Sequence, residues 1–242
     1  MKKYINRTSV RDFKDEKMSK VDIETITNVI NNSPTSTNTQ QFSAIIVTNK
    51  EVKDKIATLN WGQQHIKDAA AFIIFVADRT RVQYTFKTMN EENSPKLKQH
   101  EFVRTLVDAT IASTYAMNAL AEMGYGTTVV GGIMAFATEL SKLLDIPSSG
   151  FPLIALSVGK PNSVSEVKPK MNKVFLEKYS KEQANKELER YSKETEEYFT
   201  NLVNRPINFK QMSVYPLRES GSYFKAFESG AKEIEKYLKN FK

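Results

Sequence analysis

Ala69-Ala70-Ala71-Phe72-Ile73-Ile74-Phe75-Val76 is apolar at every position. A strand with one face in water alternates apolar and polar residues; a run that does not alternate predicts a strand covered on both faces, and so an internal sheet with helices packed on it. Upstream, the β-branched Ala44-Ile45-Ile46-Val47 predicts another buried strand, followed by a short helix over Glu51–Leu59. Before that, Ser19-Lys20-Val21-Asp22 resembles a capping box with Asp in place of Glu. Ile23, Ile26, Val29 and Ile30 then recur at helical spacing and predict a buried stripe, which Asn31-Asn32-Ser33-Pro34 terminates.

Downstream, Asp78–Lys98 reads as a polar surface excursion, and Phe102–Met123 as a long helix with Leu106, Thr110, Ser113, Met117 and Leu120 in register. Its many Ala, Ser and Thr residues suit a central helix that neighbours approach closely, at a domain core or a dimer interface. Gly124-Tyr125-Gly126 ends it; a strand Thr127–Val130, the pair Gly131-Gly132, a helix Thr138–Leu144 and a strand Pro152–Val158 follow. This order by itself reads as α/β. Beyond about Asn162 two charged helices, Lys181–Leu202 and Ser222–Phe241, flank an irregular Asn204–Arg218 stretch. That tail has too little apolar content for a core of its own, and is expected to wrap onto the body or onto a partner subunit.

Composition narrows the chemistry. The chain has 242 residues, 40% of them hydrophobic and 26% charged, as expected of a globular protein and not of a disordered one. It has no Cys, which removes disulfides, thiolate nucleophiles and Cys-based metal sites, and only two histidines, His65 and His100, so no metal centre is expected. Lys and Arg (35) exceed Asp and Glu (28), for a net charge of +7 that favours anionic partners. The charges are interleaved, as over Lys178–Lys193, which reads as a solvated helix face. A non-catalytic basic module for nucleic acid or an acidic protein would account for +7, but no clustered basic face with interleaved aromatics supports it. Met1–Arg7 lacks the apolar region of a signal peptide, and no apolar run reaches the roughly 18 residues of a membrane span, so a cytoplasmic protein without membrane or nucleic-acid partners is expected.

No Gly-x-Ser-x-Gly elbow, P-loop or dinucleotide fingerprint is present, so an enzyme of this sequence would draw its reactivity from a cofactor. Three polar segments are candidates for holding one. Arg7, Ser9 and Arg11, beside Thr8, would point to one side of an extended stretch and suit a single anion, although spacing alone favours a solvated arm. Ser36-Thr37-Asn38-Thr39-Gln40-Gln41 is a run of uncharged donors, or simply a polar loop. Lys168-Pro169-Lys170 is a further basic pair.

Taken in order, these pieces resemble the FMN-dependent nitroreductase superfamily, and most closely its NADPH-dependent oxygen-insensitive nitroreductases and flavin reductases. Arg7-x-Ser9-x-Arg11-x-Phe13 resembles the motif that holds the FMN phosphate, and Ser33–Gln40 the loop beside the flavin ring, with Gln40 or Gln41 as the ring contact. Gly62-Gln63-Gln64-His65 is similar to a Gly-Gln-x-His signature whose Gln, here Gln63, reaches the flavin. Val129-Val130-Gly131-Gly132 resembles the strand and turn whose backbone amides face the ring, and Lys168-Pro169-Lys170 a basic phosphate contact. Arg205 and Lys210 fall where the subgroup binds the NADPH 2′-phosphate. The resemblance implies an α+β, three-layer fold: a mostly antiparallel sheet flanked by helices, with a core at residues 1–165 and an extension at 166–242 wrapping onto a homodimer. It further implies FMN as cofactor, NADPH or NADH as co-substrate, and nitroaromatics, quinones or flavins as acceptors in a two-electron ping-pong cycle, with no catalytic side chain. A relative with other flavin chemistry, such as dehalogenation, is the alternative within the superfamily.

Overall fold

The computed structural model describes residues 2–92, 95–221 and 223–240. In chain order the helices are α1 (Lys2–Ile5), α2 (Lys20–Asn31), α3 (Lys50–Leu59), α4 (Gln64–Lys67), α5 (Thr80–Met89), α6 (Lys98–Glu122), α7 (Ala137–Leu143), α8 (Lys181–Val203), α9 (Phe209–Val214) and α10 (Phe224–Asn240). The strands are β1 (Phe42–Val47), β2 (Ala71–Asp78), β3 (Gly126–Val130) and β4 (Gly150–Gly159). Their described residues form two compact units, one from Ser9–Ser165 and Glu228–Lys242, the other from Met1–Thr8 and Glu166–Phe227.

The first unit is built on the sheet, in the order β1-β2-β4-β3. Every pairing is antiparallel, so the α/β reading suggested by element order gives way to the α+β class. Element order cannot specify strand direction: helices that follow strands also fit between antiparallel neighbours. All eight residues of β2 are buried, as its apolar run predicts. Ile73 and Phe75 pack with Ile26 and Ile30 of α2 and with Ala109, Ala112, Ala116 and Leu120 of α6. Phe72, Ile74 and Val76 face the other way, onto Ile56 of α3, Ile66 of α4 and Leu140 of α7. The result is three layers, helix on sheet on helix, in which each fully buried large apolar side chain contributes about 1.5–3 kcal/mol. The small residues along one face of α6 let it lie close to the sheet.

Local chemistry sets the helix ends. Ser19 Oγ accepts the Asp22 amide hydrogen at 3.0 Å to start α2, and Asn49 Oδ1 that of Val52 at 3.1 Å to start α3. Helix α5 lies inside the expected surface excursion; none of its residues is buried, so no apolar stripe marks it in the sequence. Helix α10 occupies the expected Ser222–Phe241 helix, whose two end residues lie outside the described residues. Its Tyr237 packs with Phe102 and Phe151 and donates to the Ser149 carbonyl at 2.8 Å, so the residues expected to form one extension at 166–242 are divided between the two units.

In the second unit α8 clamps the segment before it. Glu187 accepts the Asn172 amide hydrogen at 2.6 Å, and Arg190 both pairs with Glu187 and donates to the Lys170 carbonyl at 3.0 Å. These bonds draw the Glu187 carboxyl down to about 2, the Arg190 pairing first among them. The stretch expected to be irregular contains α9, opened by a capping box between Asn208 and Gln211. Among the described residues no helix is long and apolar enough to cross a membrane, and no group of three acidic or histidine side chains is placed to hold a metal ion.

Candidate cofactor site

The N-terminal motif is laid against the sheet. The Val10 amide donates to the Thr127 carbonyl at 3.0 Å, and the Thr128 hydroxyl returns a bond to the Val10 carbonyl at 2.5 Å. Phe13 bridges to Pro161. Two glycines opposite each other in the β3–β4 register, Gly126 and Gly159, make this docking possible. A Cβ on Gly126 would stand 2.7 Å from the Val10 side chain, and one on Gly159 2.8 Å from the Phe13 ring. With Val10 and Phe13 filling the glycine notch, Arg11 between them is left exposed, and Ser9 is half-buried.

Beside this segment lies a three-member chain of hydrogen bonds. Ser157, fully buried on β4, meets His65 Nδ1 at 2.9 Å, and His65 Nε2 meets Gln63 Oε1 at 2.9 Å. The amide oxygen only accepts, so Nε2 carries the hydrogen and Nδ1 accepts from the Ser157 hydroxyl. Burial lowers the His65 pKa, and the Arg11 guanidinium lowers it further, both favouring that neutral ring. Gln63 is thereby fixed by its oxygen and keeps its NH2 donors for another partner. Trp61 and Gly62 just before it turn the chain at φ of 57° and 71°, a region that suits glycine at the second position.

Strand β3 ends on the same neighbourhood. Val129 is exposed, Val130 is buried, and Gly131 has open space where a side chain would stand. At Gly132 a Cβ would come within 2.6 Å of Asn60 Oδ1 and 2.9 Å of the Trp61 ring, so the turn closes against the end of α3 only because glycine is there. Arg11, Gln63 and the Gly131-Gly132 turn thus converge at one edge of the sheet. A guanidinium, a free amide donor and an open glycine backbone form a donor set that fits a phosphorylated planar group such as FMN.

The Ser36–Gln41 loop lies elsewhere, leading into β1 at the opposite edge, three strand spacings or about 14 Å away. Thr37, Asn38 and Gln40 hold φ of 50°, 57° and 54°. Gln40 is exposed and donates to Asn38 Oδ1 at 2.6 Å, whereas Gln41 is buried with its amide on Thr39 Oγ1 at 2.9 Å. Two residues of helix α6 that motif reading passed over, Arg104 and Asp108, bind this loop. Their signal was a charged pair on the apolar side of a buried helix.

The remaining expected residues belong to the second unit. Arg7 is exposed and donates to the Thr8 carbonyl at 3.2 Å. The Lys168 ammonium stands 5.8 Å from the Phe199 ring centre, and the Lys170 carbonyl is taken by Arg190. Arg205 is exposed after α8, and Lys210 pairs with Glu189 at 2.7 Å.

An antiparallel α+β sheet covered by helices on both faces is a fold that known proteins share. The nitroreductase family model matches residues 4–160, and the chain belongs to that family. It is 29% identical over 209 residues to an FMN reductase [NAD(P)H] of Bacillus subtilis (strain 168), covering 84% of each chain. It is 30% identical over 170 residues to an FMN reductase (NADPH) of the same organism, covering 70% of this chain and 68% of that one. Among solved structures it is similar to the hypothetical oxidoreductase YcnD from Bacillus subtilis, with a TM-score of 0.85, 26% identity and 96% of each chain covered.

Proposed function

We propose that this chain is an FMN-dependent NAD(P)H oxidoreductase that passes two electrons from NADPH or NADH to nitroaromatics, quinones or flavins, acting as a cytoplasmic homodimer. The observation that carries the reading is the convergence of Arg11, Gln63 and the Gly131-Gly132 turn at one sheet edge in a nitroreductase-family chain. When bound, FMN would supply the hydride chemistry that links the nicotinamide to the acceptor. The protein's part is binding and electrostatics. Arg7, Thr8, Ser9, Arg11, Lys168 and Lys170 hold the phosphate; Gln63 donates its NH2 to the ring or ribityl chain. Backbone donors over Val129–Gly132 meet the negative charge that builds up on the reduced ring. Ser36, Thr37, Asn38 and Gln40 present the polar loop beside the ring, with Gln41 bracing it from inside, and Arg205 and Lys210 meet the nucleotide phosphate. No side-chain acid or base is required.

Two features support the dimer. The polar loop and the Arg11–Gln63 cluster stand at opposite sheet edges, so a second copy is what brings one chain's loop to the other's cluster. Helix α6 also exposes Val103, Val107 and Tyr115 along one side, an apolar stripe suited to a partner.

The visible spectrum of protein loaded with FMN and freed of excess, then treated anaerobically with NADPH and with NADH, tests the reading. A retained flavin band that bleaches supports it, and a colourless protein refutes it. Arg11→Ala is expected to lower FMN retention more than the turnover of FMN-saturated enzyme, and unchanged FMN affinity refutes the phosphate role of Arg11.

A further inference from the structure

The Ser36–Gln41 loop holds three non-glycine residues in the left-handed region, each conformation costing of order 1 kcal/mol or more, so something outside the loop must impose its shape. Its imposed shape traces to one face of α6, where Glu101, Arg104 and Asp108 recur at helical spacing. Asp108 is fully buried, and its Oδ1 accepts the Ser36 amide hydrogen at 3.0 Å, bonding the start of the loop. Arg104 spans the middle. Its Nε donates to Ser36 Oγ at 3.2 Å, and Nη2 donates to Thr37 Oγ1 at 2.8 Å, to Thr39 Oγ1 at 3.2 Å and to the Ser36 carbonyl at 3.3 Å. Glu101, itself buried, takes Arg104 Nη1 at 2.5 Å and sets the direction of the fork. Arg104 therefore binds three loop residues, Ser36, Thr37 and Thr39, through a planar group that a lysine cannot copy.

We propose that Arg104 and Asp108 are positioning residues: from α6 they hold the loop in its left-handed form and so aim Thr37, Asn38 and Gln40 at the flavin. This rests on the flavin reading above. Neither residue touches the cofactor; both act through the loop backbone and hydroxyls. A buried carboxylate bonded to the loop's first amide, and an arginine bonded to four loop oxygens, amount to more apparatus than a surface loop of six residues needs for attachment alone. An unsupported loop would relax towards right-handed and extended conformations and turn these side chains away.

The test compares wild type, Arg104→Met, Arg104→Lys and Asp108→Ala as full-length FMN-loaded proteins. Hydrogen exchange is read at loop amides and, as an internal control for folding, at β2 and β4 amides; FMN dissociation constant and the visible spectrum of bound flavin are read in parallel. Expected is at least tenfold faster exchange over 36–41 with β2 and β4 unchanged, at least tenfold weaker FMN binding and a shifted flavin band in Arg104→Met. Partial recovery is expected in Arg104→Lys, which restores the charge without the fork, and Asp108→Ala, which removes the acceptor of the Ser36 amide, should behave as Arg104→Met does. Unchanged loop exchange overturns the proposal, as does a loosened loop with unchanged FMN affinity and spectrum, which would leave the pair a merely structural anchor. General acceleration across β2 and β4 in every variant overturns it too, since the pair would then support the whole unit. Wild type that takes up no FMN overturns the flavin reading itself, whereas wild type that binds FMN beside indifferent variants overturns this proposal alone.

Discussion

Replacing Ser157 by alanine tests the hydrogen-bond chain behind Gln63. The Ser157 hydroxyl meets His65 Nδ1 at 2.9 Å, inside a strand residue with no solvent exposure. Removing either partner leaves the other's polar atom unpaired in a buried place, which costs roughly 1–3 kcal/mol, while removing both is closer to neutral. Ser157→Ala and His65→Phe should each destabilise by about that much, and the double variant by less than the sum. The expected coupling is about 1–2 kcal/mol, well above the roughly 0.3–0.5 kcal/mol of sites that do not touch. Urea unfolding of the four proteins, at one protein concentration and one FMN excess so that ligand and subunit linkage stay constant, yields the cycle. Strictly additive effects would refute the reasoning, because they would mean that serine and histidine do not share a bond that matters.

Further outcomes follow from the same geometry. His65 has a pKa lowered from 6.5 in the folded chain, chiefly by burial, so the unfolded chain takes up the proton first. Its contribution to stability is complete above pH 6.5 and lost as pH falls through the lowered folded value; wild type should lose stability on acidification below 6.5 more steeply than His65→Phe, and identical slopes would count against a buried neutral ring. Gly126→Ala puts a Cβ 2.7 Å from Val10 and should cost about 1–3 kcal/mol while loosening the Ser9–Phe13 segment, which limited proteolysis of that segment would detect. Ile74→Ala empties a site with no solvent exposure between β2 and α3 and should cost about 2–5 kcal/mol in denaturant unfolding, against less than about 0.5 kcal/mol for exposed Val21→Ala.

Much of the fold was legible where burial writes itself into residue type. The unbroken apolar run of β2, the β-branched run of β1 and the Ile stripe of α2 all announced their places, because a side chain that must leave water has to be apolar at that period. Helices α1, α4, α5 and α9 were not read: they are short or lack buried residues, and only the Asn208 and Gln211 pair offered a local signal, for α9. Of the site, the segments could be named by resemblance but not assembled. Gln40 and Gln41 look equivalent in sequence, yet one faces solvent and the other is packed inside.

By itself the sequence determined that this is a cysteine-free chain with an internal sheet under helices, and that an enzyme of this sequence would draw its reactivity from a bound group. Tertiary structure alone decided that the sheet is antiparallel, that Val10 and Phe13 dock in a glycine notch, that His65 orients Gln63, and that Arg104 and Asp108 grip a loop roughly 70 residues away in sequence. The physical reason is range. Burial and turn preferences act on each residue and its near neighbours, and so leave a trace in composition and period, whereas these bonds depend on which distant atoms the packed layers bring within 3 Å of one another.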